Sequence, residues 1–410
     1  MDLRNGKEEL QFLTRNDLYE LSTRGTASPD HVIRIKSRPL VLRESVWSKG
    51  REAIKQELDK YAKEYKAMFD RQEPLANQPK TMLPTDPKNI WMEGIGLIGL
   101  GANAKAASIA GDLVVQNARV RAIGEDAGGF RPISEKDLFD CEYWSLEQAK
   151  LGKGAPPKFQ GKIVMITGGS GTIGFAIAEA FSKLGAQTIL VDKDETALKK
   201  AVTKLGVGHA YFPIDVTETD AADQAMLAAI QNFGGLDILI SNAGAAHAGP
   251  MLSISNDELR NAFELNFFSH YSFSTEAAKI LKNQNRGGQI LFNISKQAVN
   301  PGKNFGAYGL PKATTFFLMR QLALELGSDG IRVNGINADR IRSGLLTDDF
   351  ISSRAKSRGV SETEYMAGNL LNKEVKAEHV ANAFTSLACA ESTTGHVMTV
   401  DGGNIEASLR

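Results

Sequence analysis

Two hydrophobic patterns divide the chain. From residue 156 onward, short apolar runs rich in β-branched residues recur at 162–167, 187–191, 210–214, 236–241, 289–294, 331–336 and 397–400. Amphipathic stretches with helical spacing lie between them. Short apolar runs bounded by turns predict buried parallel strands. Their alternation with helices predicts right-handed crossovers and a Rossmann-type doubly wound sheet of seven strands. The first 155 residues lack this rhythm. Ala53, Leu58, Tyr61, Tyr65 and Phe69, set among Lys and Glu, predict an amphipathic helix over 48–70. Pro74, Pro79, Pro84 and Pro87 predict an extended segment over 72–90. The expected division is therefore a mixed extension, 1–155, and an α/β domain, 156–410.

The run at 162–167 feeds directly into Gly168, Gly169, Ser170, Gly171, Thr172, Ile173 and Gly174, and a helical pattern follows in Ala176, Ile177, Ala180, Phe181 and Leu184. Glycine suits a tight strand-to-helix turn where pyrophosphate must approach N–H groups at a helix N-terminus. The next strand closes on Asp192, eighteen residues after Gly174. An acid there accepts from ribose hydroxyls and repels a 2′-phosphate, which favours NAD over NADP; Lys193 next to it weakens that preference. Residues 94–99 form a second Gly-x-Gly-x-x-Gly, but no strand-ending acid follows about twenty residues on. That stretch reads as a close-packed glycine-rich strand.

Tyr308 and Lys312 stand four residues apart, about one helical turn, and so share a face. An ammonium beside a phenol in a cleft favours the phenolate, a group able to exchange a proton with a hydroxyl or carbonyl. Pro311 lies inside this pair, so the helix is expected to begin near Tyr308.

With these residues in place, 156–405 resembles the short-chain dehydrogenase/reductase family. The resemblance implies that Tyr308 is the general acid/base, that Lys312 lowers its pKa and binds the nicotinamide ribose, and that Ser295, thirteen residues before Tyr308, orients the substrate oxygen. Asn266 falls where the family keeps a helical asparagine that supports a proton-relay water. Asp215 and Val216 match the adenine contact, and Asn242, Ala243 and Gly244 match the Asn-Ala-Gly turn that steadies the sheet. Val400, Asp401, Gly402 and Gly403 match the last strand and its turn. Two departures stand out: Thr172 replaces a glycine, and Ala338-Asp339 replaces the usual Pro-Gly pair. Ile341 and Ser343 keep the positions expected to contact the carboxamide. Residues 343–370 would form the substrate lid, with Arg340 and Arg342 as candidate anion clamps and His247 as a candidate pocket residue.

The first 155 residues resemble the connector of bifunctional rhamnulose-phosphate aldolase/lactaldehyde dehydrogenases, through 24–34, 94–101 and 142–151, as does 295–302 in the second half. Class II aldolase zinc needs three histidines, whereas His31 is the only histidine before His209, so no metal site is expected and His31 reads as structural. The stretch is expected to be a truncated aldolase remnant, with an aldolase as a potential partner. Across its 410 residues the chain has 48 basic and 48 acidic side chains, a balance that argues against nucleic acid or membrane as partners. No apolar run reaches the roughly 18 residues of a membrane span. No signal-peptide core is visible, and Cys141 and Cys389 form no disulfide framework, so a cytoplasmic location is expected. Family members commonly form homo-tetramers or dimers. The expected activity is an NAD-dependent dehydrogenase of a small hydroxyaldehyde, polyol or sugar-derived alcohol, lactaldehyde first. The rival expectation is a non-catalytic NAD-binding docking or sensing subunit.

Overall fold

The computed structural model describes residues 1–149, 155–246, 248–344 and 346–404. His247 and the end of the 142–151 segment lie outside them. The chain forms two compact units, Met1–Pro156 and Pro157–Arg410.

In the first unit, β1 (Asp2–Arg4), β2 (Leu40–Leu42), β3 (Asn89–Met92) and β4 (Gly96–Gly99) form a sheet of order β1-β4-β3-β2. β4 runs antiparallel to both neighbours, and β2 runs parallel to β3. The glycine-rich stretch is thus an inner strand. A Cβ at Gly99 would collide with the backbone of Gly111 in α2 (Ala104–Asp126), so the glycine serves close packing. The amphipathic helix, α1, spans Arg51–Gln72 and buries Tyr61 and Tyr65. Leu13, Leu21, Ile35, Trp91, Leu97 and Val114 form a core within this unit. Arg121 is buried beside it and donates to the carbonyls of Leu21, Ser22, Gly25 and Ser37. His31 bonds Ser28 Oγ at 2.7 Å and Gln116 Oε1 at 2.6 Å, which ties two helices together.

The second unit is the doubly wound sheet. Its strands are β5 (Ile163–Thr167), β6 (Gln187–Asp192), β7 (Ala210–Pro213), β8 (Ile238–Ser241), β9 (Gly288–Asn293), β10 (Ile331–Ala338) and β11 (Val397–Val400). They lie in the order β11-β10-β9-β8-β5-β6-β7, every neighbouring pair parallel. Helices α3 (Thr172–Lys183), α4 (Glu195–Leu205), α5 (Ala221–Phe233), α6 (Asn256–Phe263), α7 (Ser269–Gln284), α8 (Gly306–Leu326), α9 (Asp348–Arg358), α10 (Glu362–Met366) and α11 (Ala377–Cys389) connect them. Successive strand residues face opposite sides. Met165, Leu239, Ile290 and Phe292 therefore pack with Phe273, Leu281 and Met319 on one face. Val164, Ile166, Ile240 and Leu291 pack with Ile177, Phe181 and Phe384 on the other. Each such fully buried side chain contributes about 1.5–3 kcal/mol, so the sheet is a stiff platform.

The strand order reverses between β5 and β8, and ligands of open α/β sheets bind outside the strand ends at that point. β10 runs two residues beyond its expected end, because Asn337 and Ala338 pair with Thr399 and Val400. α8 begins at Gly306, which places Pro311 in its second turn rather than its first. Among the described residues, no helix is long and apolar enough to cross a membrane.

Candidate active site

The glycine turn joins β5 to α3 at the switch point. Gly168 has φ +63°, in the left-handed region, and a Cβ on Gly174 would collide with the Gly168 carbonyl. Gly171 is the N-cap of α3 and provides no side-chain cap, so the first N–H groups of the helix, beginning at Thr172 and Ile173, are uncapped donors. Asp192 ends β6 beside this turn. Its Oδ2 accepts from the Ser170 backbone N–H at 3.2 Å and from Ser170 Oγ at 2.6 Å. Lys193 is exposed and pairs with Asp215 at 3.8 Å, while Val216 is buried below. An uncapped helix N-terminus, a turn with no room for a Cβ at Gly169 or Gly174 and an acid at the next strand end fit a dinucleotide: its pyrophosphate at the helix, its adenosine ribose near Asp192.

The Asn-Ala-Gly turn fastens this region to the centre of the sheet. Asn242 Nδ2 donates to the carbonyls of Thr167 (2.9 Å) and Gly168 (3.3 Å). The backbone N–H groups of Asn242 and Ala243 both donate to Thr167 Oγ1. Asn293, at the end of β9, donates from Nδ2 to Asn242 Oδ1 at 2.9 Å, and its carbonyl accepts from Lys312 Nζ at 3.1 Å. A run of hydrogen bonds thus links Gly168 to Lys312.

Tyr308 and Lys312 lie on α8, both buried. Ser295, just past β9, hydrogen-bonds the Tyr308 phenol and also accepts from the Gln297 N–H at 3.2 Å. Lys312 Nζ is 5.9 Å from the centre of the tyrosine ring. Burial pushes the Tyr308 phenol up to about 12, with the Ser295 bond opposing it. Burial pushes the Lys312 ammonium down to about 7. The expected lowering of the phenol by the lysine is therefore reversed here, because burial of the phenol disfavours its charged form.

Asn266 sits in a π-helical turn, Glu264–Phe268, between α6 and α7. Its Nδ2 donates to the carbonyls of Ala245 (3.0 Å) and Ala262 (3.1 Å), Oδ1 accepts from the Ala245 N–H, and its own carbonyl accepts from Thr315 Oγ1 at 2.7 Å. The asparagine thus braces the segment after Gly244, whose missing Cβ makes room for Asn266 Oδ1 and Lys312 Nζ.

Beyond β10, α9 and α10 form a small helical cluster with a core of Leu346, Ile351, Ala355, Tyr365 and Met366. Ile341 is buried at its base, and Ser343 Oγ donates to the Ile341 carbonyl. Both arginines expected as a substrate clamp are instead engaged by neighbouring side chains and carbonyls. Arg340, with φ +54°, donates to the Tyr365 and Gly368 carbonyls and pairs with Asp339. Arg342 pairs with Asp348 at 2.6 Å and Glu374 at 2.8 Å. These partners come from segments up to 32 residues away, which spacing does not reveal. Asp339, in place of the expected glycine, gathers Lys296, Arg340 and Asn404 around one carboxylate.

Comparison with known proteins agrees with this geometry. Residues 169–404 match the family described as enoyl-(acyl carrier protein) reductase. The chain belongs to the short-chain dehydrogenase/reductase family. Residues 1–151 match the second domain of class II aldolases. The truncated remnant expected there is accordingly corrected to an aldolase-type second domain, and this unit has a core of its own. The uncharacterized oxidoreductase YuxG of Bacillus subtilis is 31% identical over 416 residues, covering 96% of this chain. The chain spans 59% of the length of that relative. Among solved structures, L-sorbose reductase from Gluconobacter frateurii, complexed with NADPH and L-sorbose, has a TM-score of 0.57 and 28% identity, covering 61% of this chain and 99% of its own. The 3-ketoacyl-(acyl-carrier-protein) reductase from Brucella melitensis, complexed with NADH, has a TM-score of 0.53 and 25% identity, covering 60% and 98%. The second unit is thus an oxidoreductase of a family that uses a nicotinamide cofactor.

Sequence reasoning missed His270, which lies against Lys312, and Ser241, which bonds the far side of its ring. The only signal for His270 was its position one turn after Asn266, in an otherwise aromatic helix.

Proposed function

We propose that this chain is an NAD-dependent dehydrogenase of a small hydroxyaldehyde, polyol or sugar-derived alcohol, with lactaldehyde as the first candidate. The carrying observation is the bonded pair Ser295–Tyr308 with Lys312 one turn further along α8. Bound at the turn, the cofactor supplies hydride acceptance in one direction and hydride donation in the other. The remaining chemistry belongs to the side chains. Ser295 offers a hydroxyl to the substrate oxygen and so fixes it beside the phenol. Tyr308 takes the hydroxyl proton of an alcohol, or of an aldehyde hydrate, at its phenolic oxygen, and returns it in the reverse direction. Lys312, one turn further along α8 and anchored by the Asn293 carbonyl, keeps an N–H to offer the nicotinamide ribose, and Asn266 holds the backbone beside it. Gly168, Gly171, Gly174, Asn242 and Gly244 shape the cradle, and Ile341 and Ser343 form its far end.

Asp192 supports NAD, because its carboxylate would face a 2′-phosphate with like charge. The substrate class is supported by the aldolase-type domain in the same chain, whose chemistry concerns aldehydes, and by the sugar-reducing structural neighbour. Exposed Phe268, Tyr271, Phe317 and Leu324 on the π turn, α7 and α8 support a homo-oligomer. NADH formation with a panel of hydroxyaldehydes, polyols and sugar phosphates, with NADP in parallel and Tyr308→Phe as control, tests the reading. Turnover that needs NAD and drops at least about 1,000-fold in the Phe variant is expected. Tight NAD binding with no turnover across the panel sinks it.

A further inference from the structure

His270 is 1% exposed and has no part in the reaction as described so far. Its Nε2 is 3.2 Å from Lys312 Nζ and its Nδ1 is 2.6 Å from Ser241 Oγ, at the end of β8. The ring also has a backbone hydrogen bond with Ala243. An ammonium can only donate, so Nε2 is the acceptor and the ring proton sits on Nδ1, toward Ser241. The imidazole is neutral: burial and the charge of Lys312 both push its pKa well below the ordinary value. Lys312 from α8 is the titratable group that faces the ring. β8 presents Ser241, the turn after it presents Ala243, β9 presents Phe292 at 6.1 Å between ring centres, and none of these is charged.

We propose that His270 is the positioning residue of Lys312, a neutral imidazole tethered to the end of β8 that accepts an ammonium N–H and holds it beneath Tyr308. Together with the Asn293 carbonyl it commits two of the three lysine donors. The arrangement is an anchor and not a proton wire. Ser241, at its far end, is 1% exposed within the sheet and offers no exit to solvent. A hydrogen bond to the charged form favours that form, so the anchor works against the desolvation that drives Lys312 toward neutrality. The inference rests on Lys312 as partner of the catalytic tyrosine, and its test is independent of turnover.

The full chain is prepared with isotopically labelled lysine side chains, and the Lys312 signal is identified by its loss in Lys312→Met. Its titration is followed by NMR without substrate or cofactor. His270→Met and His270→Gln are compared, since the two side chains are similar in volume but only Gln keeps an acceptor. His270→Met is expected to lower the Lys312 midpoint by about one unit or more, a tenfold loss of proton affinity. His270→Gln should stay within a few tenths of a unit of the unaltered protein. Equal midpoints in His270→Met and the unaltered protein, or equal shifts in both variants, overturn the proposal. Should neither variant fold, Ser241→Ala removes one oxygen of the tether; a lowered midpoint supports the anchor and an unchanged one overturns it. Absence of turnover with every substrate would defeat the dehydrogenase reading and leave this titration decisive. Where turnover exists, the acid limb of kcat/KM for oxidation must move to lower pH in His270→Met.

Discussion

One oxygen of Asp192 accepts both the backbone N–H and the hydroxyl of Ser170, at 3.2 and 2.6 Å. The acid proposed to select the cofactor therefore also fastens the glycine turn. Asp192→Ala is expected to weaken NAD binding at least about tenfold, since it removes a hydrogen bond to a charged group, and to raise the NADP/NAD preference. Titrating both cofactors by fluorescence, with Ser170→Ala alongside, checks this. Ser170→Ala should weaken both cofactors while leaving their ratio in place.

Burial sets Lys312 near 7 and Tyr308 near 12, one helical turn apart on α8. Below about pH 7 the pair carries both protons and has no base to offer. Above 7 it has lost one and can accept the proton of an alcohol. Oxidation kcat/KM is expected to rise about tenfold per pH unit below 7 and to level above it, and reduction to show the opposite limb. A pH–rate profile in both directions measures this. A flat oxidation profile from pH 5 to 8 contradicts it.

The same lysine opposes folding. Its pKa falls from an ordinary 10.5 in the unfolded chain to about 7 in the fold. Between these values the unfolded chain holds more protons, so this group makes stability rise with pH across that window. Its penalty is complete below about 7 and gone above 10.5. Lys312→Met is expected to stabilise the protein by about 1–3 kcal/mol at pH 7, after the loss of two hydrogen bonds is offset, while abolishing turnover. The gain should shrink as the pH of the denaturant titration approaches 10.

The turn has no room for a side chain at Gly174. Gly174→Ala places a methyl against the Gly168 carbonyl, so it should cost about 1–3 kcal/mol of stability and reduce affinity for both cofactors together. Thermal melting with and without cofactor reads both effects.

The sheet was legible because buried parallel strands are continuous apolar runs, and every such run after residue 156 became a strand within two residues of its expected ends. The glycine turn, Asp192 and the Tyr308–Lys312 spacing were legible for a similar reason: each is local. What escaped was set by distant segments. Glu374 and Asp348 engage Arg342, and Ser241 and Lys312 engage His270, across separations that periodicity does not register. The π turn at Asn266 is one extra residue in a helical loop, invisible to a 3.6-residue pattern. Pro311 was placed too early in its helix because a first-turn rule is a preference of isolated helices, and α8 is held by the sheet beneath it.

Asn293 reaches two ways, to Asn242 through its side chain and to Lys312 through its carbonyl. In the proposed reaction, the glycine turn and the Tyr308–Lys312 pair are thereby gauged against each other by the frame of the protein. The spacing between carrier and acid is established when the chain folds, before any ligand enters, and substrates need only arrive in a space already measured.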